Sequence, residues 1–323
     1  MTSPVSGELA SLLAGSQGRP FDVLCLGLNS LDRLCLVPGW PTRGGKLRMA
    51  ELAASGGGQA ATAACALARL GHRAAYAGVC GDDEAGRQAG PLLAGFGVEP
   101  TGLVVKPGTR SQQALILVEQ GDAERTIIWY RDESCHLGPG DLDPGLIASC
   151  RVLHLDGHFP EASLLAARLA REAGAVVSLD GERVHPQTPE LVSLCHVVVG
   201  CEDYAQRLTG QGDPHRALTL LAEMGPLWAG RTLGARGAQM LAGGLWHEQP
   251  GFAVAAVDTT GAGDVFHAGL IHALLLGQGP GPALATACAA AALSVTGLGG
   301  RSALPTREET ARLAAASAAP GRP

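Results

Sequence analysis

The run Asp258-Thr259-Thr260-Gly261-Ala262-Gly263-Asp264 constrains this chain more than any other stretch. Before it, residues 252–257 are apolar and of strand length; after it, residues 265–276 are apolar and of helix length. A strand, a glycine turn and a helix start therefore meet at one point. The helix has almost no polar face, so it should be buried. Its first turn exposes backbone N–H groups at the positive end of the helix, where an anion binds best. Asp264 sets a carboxylate beside that pocket, and a carboxylate at the mouth of a buried helix is costly unless it is paired or used. A donor-rich hole next to a base is what phosphoryl transfer to a hydroxyl requires. The plainer alternative is that Asp258 ends a strand, the glycines allow a turn, and Asp264 only favours the helix dipole.

Further along the chain, short apolar runs at 21–28, 74–79, 152–155, 175–179 and 197–199 alternate with helical patterns at 59–70, 83–96, 161–173 and 214–224. Gly71 closes the first helix as a cap. This alternation predicts an α/β fold: a doubly wound, mostly parallel central sheet with helices on both faces. Two stretches, 35–54 and 98–130, break it. The second reads as strands at 111–119 and 125–130 around a Gln120-Gly121-Asp122 turn. Together they form either a small antiparallel β lid or an edge extension of the main sheet. The expected division is a core of 21–34, 55–97 and 131–316, a lid of 35–54 and 98–130, and loose tails at 1–20 and 317–323, the first of which could be a short helix.

The 323 residues are 46% hydrophobic and 17% charged, enough to bury one large α/β domain. A net charge of −6 with no basic run argues against a nucleic-acid partner. No uninterrupted apolar run reaches membrane-spanning length, and the N-terminus lacks a signal pattern, so a cytoplasmic protein with no membrane partner is expected. Nine cysteines without a CxxC pair fit buried free thiols in a reducing compartment and argue against a structural zinc site.

A second glycine cluster, Ser55-Gly56-Gly57-Gly58-Gln59, precedes an alanine-rich helix. Gln59 and Thr62 lie one turn apart on one face, so both could reach a polyhydroxylated ligand; tight helix packing is the alternative. His154, His158 and His185 lie near strand ends on the same side and read as structural rather than metal-binding.

From about residue 22 to 305 these segments resemble the ribokinase-like (PfkB-type) carbohydrate kinases, nearest the ketohexokinase and sulfofructose kinase branch. The motifs that carry the resemblance are Gly56-Gly57-Gly58-Gln59-Ala60-Ala61-Thr62, Thr232-Leu233-Gly234-Ala235-Arg236-Gly237, Glu124-Arg125-Thr126-Ile127-Ile128 and Asp258 through His267. The resemblance implies that ATP phosphorylates a sugar hydroxyl, with Asp264 as base and the amides of Gly261, Ala262 and Gly263 as the anion hole. It implies sugar contacts from Asp32, Gly57, Gly58, Gln59 and Thr62, an arginine beside the site at Arg125, and nucleotide contacts from Thr232, Gly234 and Gly237. Mg²⁺ would bridge the phosphates. Asp258 and the Thr260 carbonyl match part of a K⁺ site whose usual late side-chain ligand is Ala303 here.

The chain also departs from the family. Its Asn-x-x-Glu motif is replaced by Cys201-Glu202-Asp203-Tyr204, leaving Glu202 or Asp203 to act through water. The branch's sulfonate contacts fall on Trp129 and about His158, with Lys46 as the lid lysine, which disfavours a sulfonated ketose. Lys46 either meets a carboxylate or phosphate or is solvated; Trp129 either stacks on a sugar or packs the lid. The reading is a kinase for a ketose or related furanose. The alternatives are a non-catalytic nucleotide- or sugar-binding protein on the same fold, or a nucleoside kinase. A dinucleotide oxidoreductase is disfavoured, since no GxGxxG follows the first strand. Exposed lid edges predict a homodimer.

Overall fold

The apolar run at 21–26 becomes the strand from which the fold is built outward in both directions. In the computed structural model, which describes residues 4–121 and 124–316, the chain order is α1 (Pro4–Gly15), β1 (Phe21–Leu26), β2 (Ser30–Val37), β3 (Glu51–Gly57), α2 (Gln59–Arg69), β4 (Ala74–Gly81), α3 (Glu84–Ala94), β5 (Glu99–Lys106), β6 (Gln113–Glu119), β7 (Arg125–Tyr130) and α4 (Pro144–Ala148). It continues with β8 (Cys150–Leu155), α5 (Pro160–Glu172), β9 (Val176–Gly181), α6 (Thr188–Leu194), β10 (Val197–Gly200), α7 (Tyr204–Thr209), α8 (Pro214–Glu223), β11 (Trp228–Thr232), β12 (Ala238–Ala242), β13 (Leu245–Gln249), α9 (Ala262–Leu275), α10 (Pro280–Ser294) and α11 (Arg307–Ala316).

Nine strands form one sheet in the order β13-β12-β11-β10-β9-β8-β1-β4-β5. Its seven strands from β11 to β5 are parallel, and β12 and β13 extend it antiparallel. Helices cover both faces, so the inner strands are apolar throughout rather than alternating. Successive β1 side chains go to opposite cores. Val23 and Cys25 join α1, α2, α9 and α10 through Leu9, Leu67, Leu270 and Leu284. Leu24 and Leu26 join α5, α6 and α8 through Ala166, Val192 and Leu218. Local signals set the helix starts: Asp83 and Asp213 accept from the amides of Gly86 and Arg216 at 2.9 and 2.7 Å, and Pro160 and Pro214 open α5 and α8.

A second sheet, β3-β2-β6-β7, lies at the carboxyl end of the first. Its outer pairings are antiparallel and its central pair, β2 with β6, is parallel. Its inward side chains alternate with outward ones, and Leu34, Ile116 and Val118 make its own small core.

Four expectations change. Residues 4–15 form α1, whose Leu9 and Leu13 are buried in the main core, so this segment is not a loose tail. Residues 99–106 pair with β4 as the edge of the large sheet, not as part of the lid. The lid-side sheet instead recruits 30–34 and 55–57 through β2 and β3, which carries Asp32 into it. Residues 252–257 form no strand: the amides of Val257 and Asp258 bond the Val295 carbonyl at 2.8 and 3.2 Å, holding the segment against the end of α10. Asp122 of the expected turn and the tail at 317–323 lie outside the described residues.

Candidate active site

The chain leaves β1 in opposite directions, to β4 on one side and, later, β8 on the other, so the carboxyl ends of β1 and β8 border the crevice where open α/β sheets bind ligands. Asp156, just past β8, holds this crevice together. Its carboxylate accepts from the amides of Leu28 at 2.6 Å, Ala60 at 3.3 Å and His158 at 3.1 Å. It thereby ties the β1 end, the α2 start and the β8 end to one point. Gly27 must lack a side chain here, because a Cβ would sit 2.1 Å from the Asp156 carboxylate.

Above Asp156 opens a cavity of about 370 Å³, of a size that suits a small ligand. The ends of the parallel strands and α2 supply Gly58, Gln59, His158, Asp180 and Glu182; the second sheet supplies Asp32, Ile116, Arg125, Ile127 and Trp129; the α9 start supplies Gly261, Gly263 and Asp264.

The α9 start is built as the turn residues require. Asp258 is buried and uses both carboxylate oxygens, one accepting from the Thr260 amide at 2.8 Å and hydroxyl at 2.7 Å, the other from the Gly299 amide at 2.8 Å. Gly261 caps the helix with φ +77, and a Cβ on it would stand 2.8 Å from the Gly300 Cα. Only glycine meets both demands. The amide of Ala262 turns back to the Thr259 carbonyl at 3.3 Å, whereas those of Gly261 and Gly263 have no protein acceptor among the described residues. Arg301, on the loop behind, donates to the Gly57 carbonyl at 2.6 Å and the Thr62 hydroxyl at 3.2 Å, joining the two glycine clusters.

Electrostatics divide the three aspartates of the cavity. Burial, with repulsion from Asp180 and Asp156, pushes Asp264 well above the usual carboxylate range, against a weaker pull from Arg301. Burial also raises Asp32, opposed by the Ser30 hydroxyl, which donates to it at 2.7 Å, and by Arg301. Asp180 goes the other way: burial would raise it, but His267 at 3.2 Å together with His154 and His158 outweighs that and lowers it. The site thus pairs an ionised Asp180 with a proton-seeking Asp264, the separation of roles that general-base chemistry needs.

A second cavity, of about 510 Å³, opens on the other side of the α9 start. Phe252, Val254, Phe266 and several alanines make it largely apolar, and Gly234, Gly237 and Ala262 line its edge. Thr232 and Gly263 border both cavities. The apolar run at 252–257 therefore faces a cavity rather than a sheet.

Of the residues expected at the site, Asp32, Gly58, Gln59, Arg125, Trp129, Thr232, Thr260, Gly261, Gly263 and Asp264 line the first cavity, and Gly234, Gly237 and Ala262 the second. Gly57 lies against Asp32, where a Cβ would be 1.9 Å from its carboxylate. Asp258 sits beneath the turn. Neither Gly57 nor Asp258 lines a cavity, and three more do not either. Thr62 is buried and bonded to Arg301, Lys46 is on an exposed loop, and Glu202 is exposed and paired with Arg236. The sequence reading missed Asp156, Asp180, Glu182, Arg131, Arg183, His267 and Arg301. Asp180 and Glu182 end a predicted strand, so strand-end position was an available signal; Arg301 had none.

A family profile described as pfkB family carbohydrate kinase matches residues 21–307. The chain is 30% identical over 293 residues to ribokinase from Haemophilus influenzae, covering 88% of this chain and 95% of that protein. Among solved structures, a protein from Agrobacterium tumefaciens assigned as a ribokinase superposes with a TM-score of 0.87 at 32% identity, over 93% of this chain and 99% of the other. One from E. coli assigned as ribokinase II, solved with ATP and Mg²⁺, superposes at 0.81 over 91% and 98% of the two chains; at 22% identity it speaks to the fold alone. This chain belongs to the pfkB family of carbohydrate kinases, and its two-sheet α/β structure is the ribokinase fold.

Proposed function

We propose that this sugar kinase transfers the terminal phosphoryl group of ATP to a hydroxyl of a ketose or related furanose bound in the first cavity. The observation that carries the reading is the placement of Asp264 at the partition between the two cavities, beside the unpaired amides of Gly261 and Gly263. In the step, the hydroxyl oxygen bonds to the terminal phosphorus, the bond from phosphorus to the ADP oxygen breaks, and the hydroxyl proton passes to Asp264. The raised affinity of Asp264 for a proton suits that transfer, and the α9 amides suit the charge on the phosphoryl oxygens. Asp32, Gln59 and Arg125 would orient the sugar, while Thr232, Gly234 and Gly237 would border the nucleotide in the apolar cavity. The H. influenzae relative supports a sugar acceptor by its name, and the E. coli structure shows that this fold can hold ATP and Mg²⁺.

Mg²⁺ would supply charge neutralisation on the phosphates. Among the described residues no group of three or more His, Cys, Asp or Glu side chains could hold a metal, and Glu202 and Asp203 pair with Arg236 and Arg207. That fits an ion held by phosphates and water with little from the protein. K⁺ is a poorer fit: both Asp258 oxygens already accept backbone amides, and Ala303 offers no side-chain oxygen.

Outward-facing Leu52, Leu115, Ile128 and Tyr130 leave one face of the second sheet apolar and exposed. This supports a homodimer through that face. Nine free cysteines support a reducing, cytoplasmic setting, and no helix among the described residues is long and apolar enough to cross a membrane.

A coupled ADP-release screen over ketoses, aldoses and nucleosides tests the proposal, with Asp264→Asn as control. Sugar-dependent ADP release that the variant loses supports it. ATP and sugar binding without turnover in the wild type would overturn it.

A further inference from the structure

The first cavity has two chemically opposite ends. Its floor carries Asp32, Asp180 and Asp264, acids that suit hydroxyl groups. Its mouth carries Arg131 and Arg183, whose guanidinium carbons lie 5.7 and 5.9 Å from the centre of the Trp129 ring. Both arginines line the cavity, and among the described residues neither forms an ion pair with a carboxylate. Arg131 donates its Nε to Gln112 Oε1 at 2.7 Å and has no other side-chain hydrogen bond among the described residues.

Two acids face this pair, and both are committed elsewhere. Glu182 lies 3.3 Å from His158 Nε2, and Asp156 accepts from three backbone amides. Two guanidiniums therefore line one space and repel each other; Glu182 and Asp156 offset part of that charge, but no carboxylate among the described residues bonds either arginine, which leaves both free to take an anion. Arginine forks match carboxylate and phosphate oxygens, and the Trp129 ring that both guanidiniums approach adds apolar surface to the same part of the cavity.

We propose that the acceptor is an anionic sugar. Its terminal carboxylate or phosphate sits between Arg131 and Arg183 against Trp129, and its hydroxyl end reaches Asp32 and Asp264. This rests on the sugar-kinase reading and narrows it, since a neutral sugar would leave the arginine pair unmatched.

The test compares wild type with the double variant Arg131→Ala/Arg183→Ala on four acceptors: fructose, ribose, 2-keto-3-deoxygluconate as the carboxylate and fructose 6-phosphate as the phosphate. ADP release gives kcat and KM; calorimetry without ATP gives binding; thermal unfolding checks that the variant folds. The expected result is that one anionic acceptor exceeds both neutral sugars in kcat/KM by at least about 10-fold, and that the double variant raises its KM roughly 10- to 100-fold with the neutral sugars unchanged. The carboxylate and phosphate arms separate the two sources of charge. A preference for neutral sugars, or an equal loss on all four acceptors, overturns the inference and leaves the kinase intact. If nothing is turned over but an anionic sugar binds wild type and not the variant, the kinase reading fails and the anion site stands; no binding of either anionic sugar removes both.

Discussion

The Arg301 guanidinium, 3% exposed, reaches across 244 positions of sequence to donate to the Gly57 carbonyl at 2.6 Å. With its second bond to Thr62, it fixes the loop after α10 beneath both glycine clusters. Arg301→Met should leave Gly57 O and the Thr62 hydroxyl buried and unmatched, costing roughly 2–4 kcal/mol. Urea unfolding checks this; a change under about 0.5 kcal/mol would contradict the assigned role.

Asp264→Asn should lower kcat by about 10²- to 10⁴-fold with little effect on binding. It should also stabilise the fold at neutral pH. The folded carboxyl prefers its proton more than the unfolded one does, so its contribution to stability is present at low pH and lost as pH rises through the raised pKa. The variant should therefore melt above wild type at pH 7.5, and the gap should close below about pH 4. A melting temperature below wild type at pH 7.5 would refute the assignment of burial and like charge as the cause.

Gly261→Ala tests the turn geometry separately from the base. The αL backbone alone costs about 1–2 kcal/mol for a residue with a Cβ, and the Gly300 backbone at 2.8 Å adds to it. Displacing the amides should lower kcat by about 10²-fold. Stopped kinetics with unchanged acceptor binding would match; near wild-type kcat would not.

Three buried histidines and the half-buried His72 set an acid limit. Burial, with the nearby His267, lowers His154 to about 3. Burial also lowers His72, His196 and His272, each to about 4. Each takes up its proton in the unfolded chain first, so stability should fall as pH drops from about 6.5 toward these values, by at most about 1.4 kcal/mol per pH unit per histidine. Urea titrations at pH 7.5, 6.5 and 5.5 read the slope, and His154→Phe should make it shallower. Equal slopes in wild type and variant would count against a neutral buried His154; the raised Asp264 and Asp32 tilt the overall profile the other way, so the difference in slope is what tests it.

Of the two basic residues considered for the acceptor, only Arg125 lines the cavity, where it bonds the Thr259 hydroxyl; Lys46 is exposed on its loop, as the solvated alternative has it. Arg125→Ala should raise the acceptor KM about 10-fold, while Lys46→Ala should stay within about twofold. A larger effect at Lys46 would mean that its loop closes over the site.

The parts legible in sequence are those with a local cause. The turn at 258–264 and the run at 56–59 announce themselves because positive φ and exposed amides demand glycine where they occur. The parallel strands are legible because burial on two faces makes them continuously apolar. What stayed hidden depends on long-range geometry. Residues 252–257 carry a strand's composition, but their apolar side chains cover a cavity. Strand β5 looked like lid because nothing in it records that β4 is its partner. Arg131, Arg183 and Arg301 are ordinary arginines until the fold sets two beside Trp129 and one beneath Gly57.

Strand β7 is the outer edge of the second sheet, bonded on one side only, and every second residue of it, Arg125, Ile127 and Trp129, faces the first cavity. Ile127 and Trp129 pair only within the second sheet's ladder, whereas Arg125 also reaches the Thr259 hydroxyl in the turn before α9. Changes at Ile127 and Trp129 would therefore reshape the acceptor wall from a sheet edge without altering a residue of the turn at 258–264. Divergence of substrate among such kinases is in that sense cheap in mutations and confined in space.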